Sequence, residues 1–467
     1  MLFSSITFLY FFLPIVLGLY FAVPFRFKNF VLLIASLFFY FAGEPIYSVL
    51  MVAASLSGWL HGLWIGKWKG QAKAKIPLIS SIVFGLAGLL FFKYTDFFLD
   101  NINGIFGTSI GLLKLALPIG ISFYTFQILS YTIDVYLGKA AVQKSFFDFT
   151  TYVAFFPQLI AGPIVRYTQV EAELASRTHS VENFALGARR FLVGLGKKVL
   201  IANVLGEVGN LFSQSTDKSV LFYWIAAIAF TLHIYFDFSG YSDMAIGLGR
   251  IFGFKFPENF NHPFISRSVT EFWRRWHMSL STWFRDYIYI PLGGNRVSQW
   301  KHIRNIFAVW LLTGFWHGAS WNFIVWGLMF GVLLILEKFF LARLLEKLPK
   351  FCRHIYVMFL VVISFVIFNA NSMGEALVNL KGMFGFADIP LISSDALYFL
   401  RSYAVVFVLA IIGSTPLIRN LGNKISANAR GEKILNIAEP ILLAALLIVV
   451  TAFLIDGSFN PFLYFRF

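Results

Sequence analysis

The chain has 467 residues, of which 58% are hydrophobic, 19% aromatic and only 13% charged. A soluble globular protein carries about 25% charged residues, so this balance excludes that class and points to a polytopic membrane protein. The net charge of +15 requires no nucleic-acid partner, because most basic residues fall in short loops between apolar runs, where the positive-inside bias explains them.

The first apolar stretch, Ile6 to Phe21, has no basic residue before it and no small-residue cleavage site after it, and reads as a retained first span. Runs such as 30–42, 76–92 and 436–455 are nearly free of charge. Counted along the chain, such runs predict about eleven to twelve segments near the ~20 residues that cross a bilayer. Arg26 and Lys28 follow the first span, and Lys67, Lys69, Lys73 and Lys75 follow the third. Both loops are therefore expected in the cytoplasm, with the N-terminus outside and "AGEP" (42–45) as an outer turn. No internal repeat divides the chain, so residues 1–467 are expected to form one membrane domain.

In "FTLHIYFDFSGYSDMAIGLG" (230–249), His233 and Asp237 are four residues apart on one helical face. The bland reading is a structural pair between buried neighbours. The functional reading follows from the cost of ionisable groups inside a membrane. From Arg250 to Arg304 there are nine basic residues and three acidic ones, too polar to span and too aromatic for a loose linker. Thr270 reads as an N-cap, and Trp273, Trp276, Leu280, Trp283 and Tyr287 recur at three- and four-residue steps. This predicts an amphipathic helix in the cytoplasmic interface, aromatics down and arginines up, closed by "PLGG" (291–294). The run 305–336 is followed by another basic loop. With cytoplasmic loops on both sides it must enter the membrane and return, and its break is placed at "TGFWHGASWN" (313–322). His317 is thereby expected at a cavity instead of against lipid. Flanking glycines cost helix stability and permit close approach of other groups. A neutral imidazole in such a place suits proton transfer near neutral pH, matching removal of a proton from an alcohol that attacks an activated acyl group. His277, between Trp276 and Met278, shares that potential; its bland reading is packing.

"GTSIG" (107–111) lies in a turn, not a nucleophile elbow, and "GLGRIFG" (247–253) lacks the dinucleotide spacing. No HExxH, CxxC or Walker A motif is present, so no permanently bound metal or cofactor is expected. Cys352, the single cysteine, reads as a free structural thiol.

The stretches 118–136, 155–167, 235–254, 271–296 and 314–327, with the C-terminal "PFLYFRF" (461–467), together resemble the membrane-bound O-acyltransferase family. More narrowly they resemble its bacterial, alginate O-acetyltransferase-like branch. The resemblance implies an all-α fold of tilted, re-entrant and interfacial helices around a central tunnel in the bacterial cytoplasmic membrane. It implies transfer of an acetyl group from cytoplasmic acetyl-CoA toward an extracellular or cell-wall polysaccharide, completed by a separate extracytoplasmic protein. Its catalytic histidine falls on His317 and a second functional histidine on His277. Arg274, Arg275 and Arg285 are candidates for the donor phosphates, or equally for lipid headgroups; Asn322 and Asp286 are candidate orienting groups. Two alternatives stay open: D-alanyl transfer to teichoic acid from an acyl carrier protein, and a solute transporter or channel, which would often show paired interrupted helices in two repeated halves.

Overall fold

The structure, a computed structural model, describes residues 2–457, and these contain helices and no strand. The "PFLYFRF" motif lies outside the described residues. Six of the described helices are long and apolar enough to cross a membrane, or seven if the bent pair Ser394–Ser402 and Ala404–Gly413 is one span. Other apolar runs form shorter helices, such as Leu13–Ala22, Phe25–Phe41 and Ile121–Tyr136.

The chain divides into two compact units, residues 1–191 with 241–257, and residues 192–240 with 258–467. In the first, Tyr47–Lys67, Lys75–Phe106 and Ile121–Tyr136 pack together. Ile121–Tyr136 is buried along nearly its whole length. A polar knot ties this unit's ends: the Tyr20 hydroxyl donates to the Phe252 carbonyl at 2.8 Å and accepts from Arg177 Nε at 2.8 Å. Lys28, expected in a loop, lies instead in the first turn of Phe25–Phe41, where its ammonium donates to the Tyr20 carbonyl at 2.9 Å.

The second unit holds the candidate site. Its core is an aromatic cluster that includes Trp273, Trp276, Trp310, Trp326, Phe365 and Phe368. The run 305–336 folds as a hairpin of Gln299–His317 and Trp321–Leu336, with its break at residues 318–320. Its legs reach beyond the apolar run at both ends: the first begins at Gln299, and the second continues through the π-helix Glu337–Leu341 to Lys347, long enough to cross. Two glycines let the legs meet. A Cβ on Gly314 would stand 2.4 Å from the Phe323 carbonyl oxygen, and one on Gly327 2.4 Å from that of Trp310. In hydrocarbon, where burial of apolar surface gives helices no advantage over lipid, such close backbone approach is what holds a pair together.

The 269–289 region corrects the amphipathic-helix expectation. It is two short helices, Val269–Arg275 and Met278–Phe284, with a π-helical turn Arg285–Tyr289. The N-cap is Ser268, whose hydroxyl accepts from the Glu271 amide, not Thr270. The Thr270 amide and hydroxyl instead donate to the Glu337 carboxylate at 3.0 and 3.1 Å. The periodic aromatics are buried, but within protein: Trp273 packs edge-on against Trp310, Trp326 and Phe330. Periodicity identifies an apolar face and cannot say whether lipid or protein covers it.

Candidate active site

Both histidines sit where a helix is interrupted. His317 is the last residue of its leg, and the chain turns extended at Gly318. There a Cβ would fall 2.2 Å from the Phe323 ring, so the sharp exit requires glycine for room. The imidazole is buried among Trp316, Trp326 and Phe368, with ring centres at 5.0, 5.1 and 5.2 Å, all edge to face. His277 occupies the junction between the two short helices at φ 43°, the left-handed region that costs a side-chain-bearing residue energy. It packs against Phe238 at 4.6 Å and Trp316 at 6.2 Å. Trp316 is therefore the shared neighbour of two histidines forty positions apart in sequence.

The segment 259–261 clamps the His277 junction from both sides. The Asn261 amide donates to the Arg275 carbonyl at 2.9 Å, and the Met278 amide to the Asn259 carbonyl at 2.9 Å. The Asn259 side-chain oxygen lies 3.1 Å from His277 Nδ1 and accepts from the Ser279 amide at 3.3 Å and hydroxyl at 2.9 Å. His277 Nε2 is buried and finds no hydrogen-bond partner among the described residues. Burial pushes its pKa down to about 3, so the ring is neutral near physiological pH.

The secondary candidates separate. Asn322 is buried and donates to the Ile367 and Ala370 carbonyls at 3.3 and 2.8 Å, fixing the stretch that carries Phe368, one of the rings around His317. Asp286 is engaged by the neighbouring Arg285 at 2.7 Å. That bond raises the exposed guanidinium's pKa. Arg275 pairs with Glu271 at 2.9 Å, while Arg274 is exposed. The structure thus leaves the arginines on the outer side of the short helices and the aromatics inside. His233 and Asp237 both turn to the π-helix Lys197–Ala202: His233 Nδ1 lies 2.5 Å from the Ala202 carbonyl, and Asp237 forms a buried ion pair with Lys198. Sequence reading missed Lys198 because it looks like one more loop cation, and Asn259 because "PENFNHP" (257–263) has no period to flag it.

His233 also lines a cavity of about 650 Å³ whose walls include Lys218, Phe365, Asn369, Asn371 and Glu375. Asn369 directly follows Phe368, and Phe365 packs on Trp276 at 5.2 Å, so the cavity wall adjoins both histidine surroundings.

A model of the membrane-bound O-acyltransferase family matches residues 137–374. Over 394 residues the chain is 43% identical to the probable alginate O-acetylase AlgI of Azotobacter vinelandii, spanning 83% of this chain and 79% of that protein. Over 439 residues it is 35% identical to the peptidoglycan O-acetyltransferase of Helicobacter pylori, spanning 86% and 83%. Its likeness to the teichoic acid D-alanyltransferase of Bacillus subtilis is 32% over 235 residues, 48% of this chain and 59% of the other. The chain belongs to the membrane-bound O-acyltransferase family and is an acyltransferase.

Proposed function

We propose that this acyltransferase is the membrane component of a system that O-acetylates an extracellular or cell-wall polysaccharide, with acetyl-CoA as cytoplasmic donor. The acetylating relatives align with 83% and 86% of the chain and the D-alanylating one with 48%, which favours acetyl over D-alanyl transfer. The pair of buried histidines around Trp316 carries the mechanism. In it, His317 takes the proton of the acceptor hydroxyl as that oxygen attacks the thioester carbonyl. The C–O bond forms, the C–S bond breaks, and the proton passes to the departing thiolate, so ester and thiol leave and the imidazole is again neutral. His277 orients the substrate beside it. The aromatic walls exclude water, which would otherwise hydrolyse the thioester. Exposed Arg274, with Arg275 and Arg285, faces the donor phosphates. The positive-inside bias puts these arginines in the cytoplasm, with the start of Val220–Ile251 and the Asn369 end of Lys350–Asn369 outside. The cavity beside His233 then serves the acceptor side, where an extracytoplasmic protein completes the transfer.

The test is purified protein in lipid with radiolabelled acetyl-CoA, with and without acceptor. Label transfer should fall on the order of 10²–10⁴-fold in His317→Ala at equal protein level. Unchanged transfer sinks the assignment. Transfer from a D-alanyl carrier thioester but not from acetyl-CoA replaces the donor, and solute flux without transfer replaces the class.

A further inference from the structure

The tautomer of His277 can be read from its neighbours without seeing a hydrogen. A backbone amide only donates, so the Asn259 side-chain atom that meets the Ser279 N–H at 3.3 Å is the oxygen. That oxygen only accepts, so the His277 Nδ1 that lies 3.1 Å from it carries the proton. A neutral ring protonated on Nδ1 has an unshared pair on Nε2, the atom that is buried with no partner among the described residues. Leaving a buried acceptor unmatched is costly, and φ 43° strains the backbone of a side-chain-bearing residue. A residue serving only to pack the junction would incur neither.

We propose that Asn259 is a positioning residue for acyl transfer: its side-chain oxygen, itself oriented by Ser279, locks His277 as the Nδ1–H tautomer so that Nε2 accepts a hydrogen bond from an N–H or O–H group of the bound substrate. This rests on the acyl-transfer reading for its consequence, but not for the tautomer. The clamp is built for orientation: Asn259 holds the junction through its backbone to Met278 and through its side chain to both His277 and Ser279. Loss of the oxygen frees the ring to present Nε2–H, a donor where the substrate offers a donor. The neutral state is supported by the depressed His277 pKa.

Two variants and two readouts test this. Asn259→Leu removes the acceptor at similar volume; Asn259→Asp keeps an acceptor oxygen and adds a negative charge that favours imidazolium. In histidine-¹⁵N-labelled protein, with the His277 signal assigned by its loss in His277→Gln, the expected spectrum is protonated Nδ1 and bare Nε2 at neutral pH. Asn259→Leu should mix the tautomers and lower kcat at least tenfold. Asn259→Asp should keep activity at alkaline pH and lose it on the acid side at a higher pH than the parent does. If Asn259→Leu does not fold, the Asp variant and the parent spectrum still decide. A protonated Nε2 in the parent, or an Asn259→Asp pH profile that superimposes on the parent, overturns the proposal. A bare Nε2 together with full transfer in Asn259→Leu overturns the role while leaving His317→Ala as the separate test of the acyl-transfer site.

Discussion

Two buried polar clusters lie in the same unit, and they are built in opposite ways. Around Lys197–Ala202, His233 meets a carbonyl and Asp237 meets Lys198, so charge is matched to charge within the cluster. Around Trp316, the histidines are walled by aromatic rings, and His277, at a strained backbone position, keeps a nitrogen unmatched among the described residues. The first arrangement braces the fold; the second is the one to which the proposed chemistry is assigned. Four-residue spacing drew attention to the first cluster, whereas the two histidines around Trp316 have no spacing signal at all.

The contrast breaks most sharply on function against stability. His317→Ala should abolish transfer by two to four orders of magnitude, on the order of 3–5 kcal/mol in the barrier, while the melting temperature in lipid stays within a few degrees. Asp237→Ala should do the reverse, leaving Lys198 buried without its counter-charge at a cost of about 3–5 kcal/mol, seen as lost folded yield. Restoring apolar volume at both positions, Lys198→Met with Asp237→Leu, should recover folded protein with its activity, which a catalytic ion pair would not allow. Gly314→Val should force the hairpin legs apart against the Phe323 carbonyl and cost about 1–3 kcal/mol, lowering both melting temperature and activity because His317 ends that leg. Arg285→Ala should change stability by at most about 1 kcal/mol, because the Asp286 pair is solvent-exposed on the Arg285 side. Its readout is KM for the acetyl donor, raised with kcat nearly unchanged; a kcat effect would move Arg285 from donor binding to the reaction itself.

Much of the architecture was legible in advance. Apolar runs, few charges and basic loops set the membrane class, and glycines around His317 marked a broken hairpin because only close backbone approach justifies them in hydrocarbon. The register of Trp273, Trp276, Leu280, Trp283 and Tyr287 was visible as one face, but not the interruption at His277. Nothing local signals that Asn259, eighteen residues earlier, straps a junction open. Lys198 was likewise invisible as a partner, since its apolar surroundings come from residues distant in the chain.

The sequence by itself determined that this is a many-helix membrane protein, that His317 stands at a break, and which motifs carry the family likeness. Hydropathy and helix-breaking residues act locally, so a linear string records them. Only the tertiary structure decided that Trp316 is shared by two histidines, that Asp237 pairs with Lys198, and that Asn259 meets His277 Nδ1. Each of these depends on which side chain from elsewhere in the chain arrives within hydrogen-bonding or packing distance, and that is settled by how the helices pack.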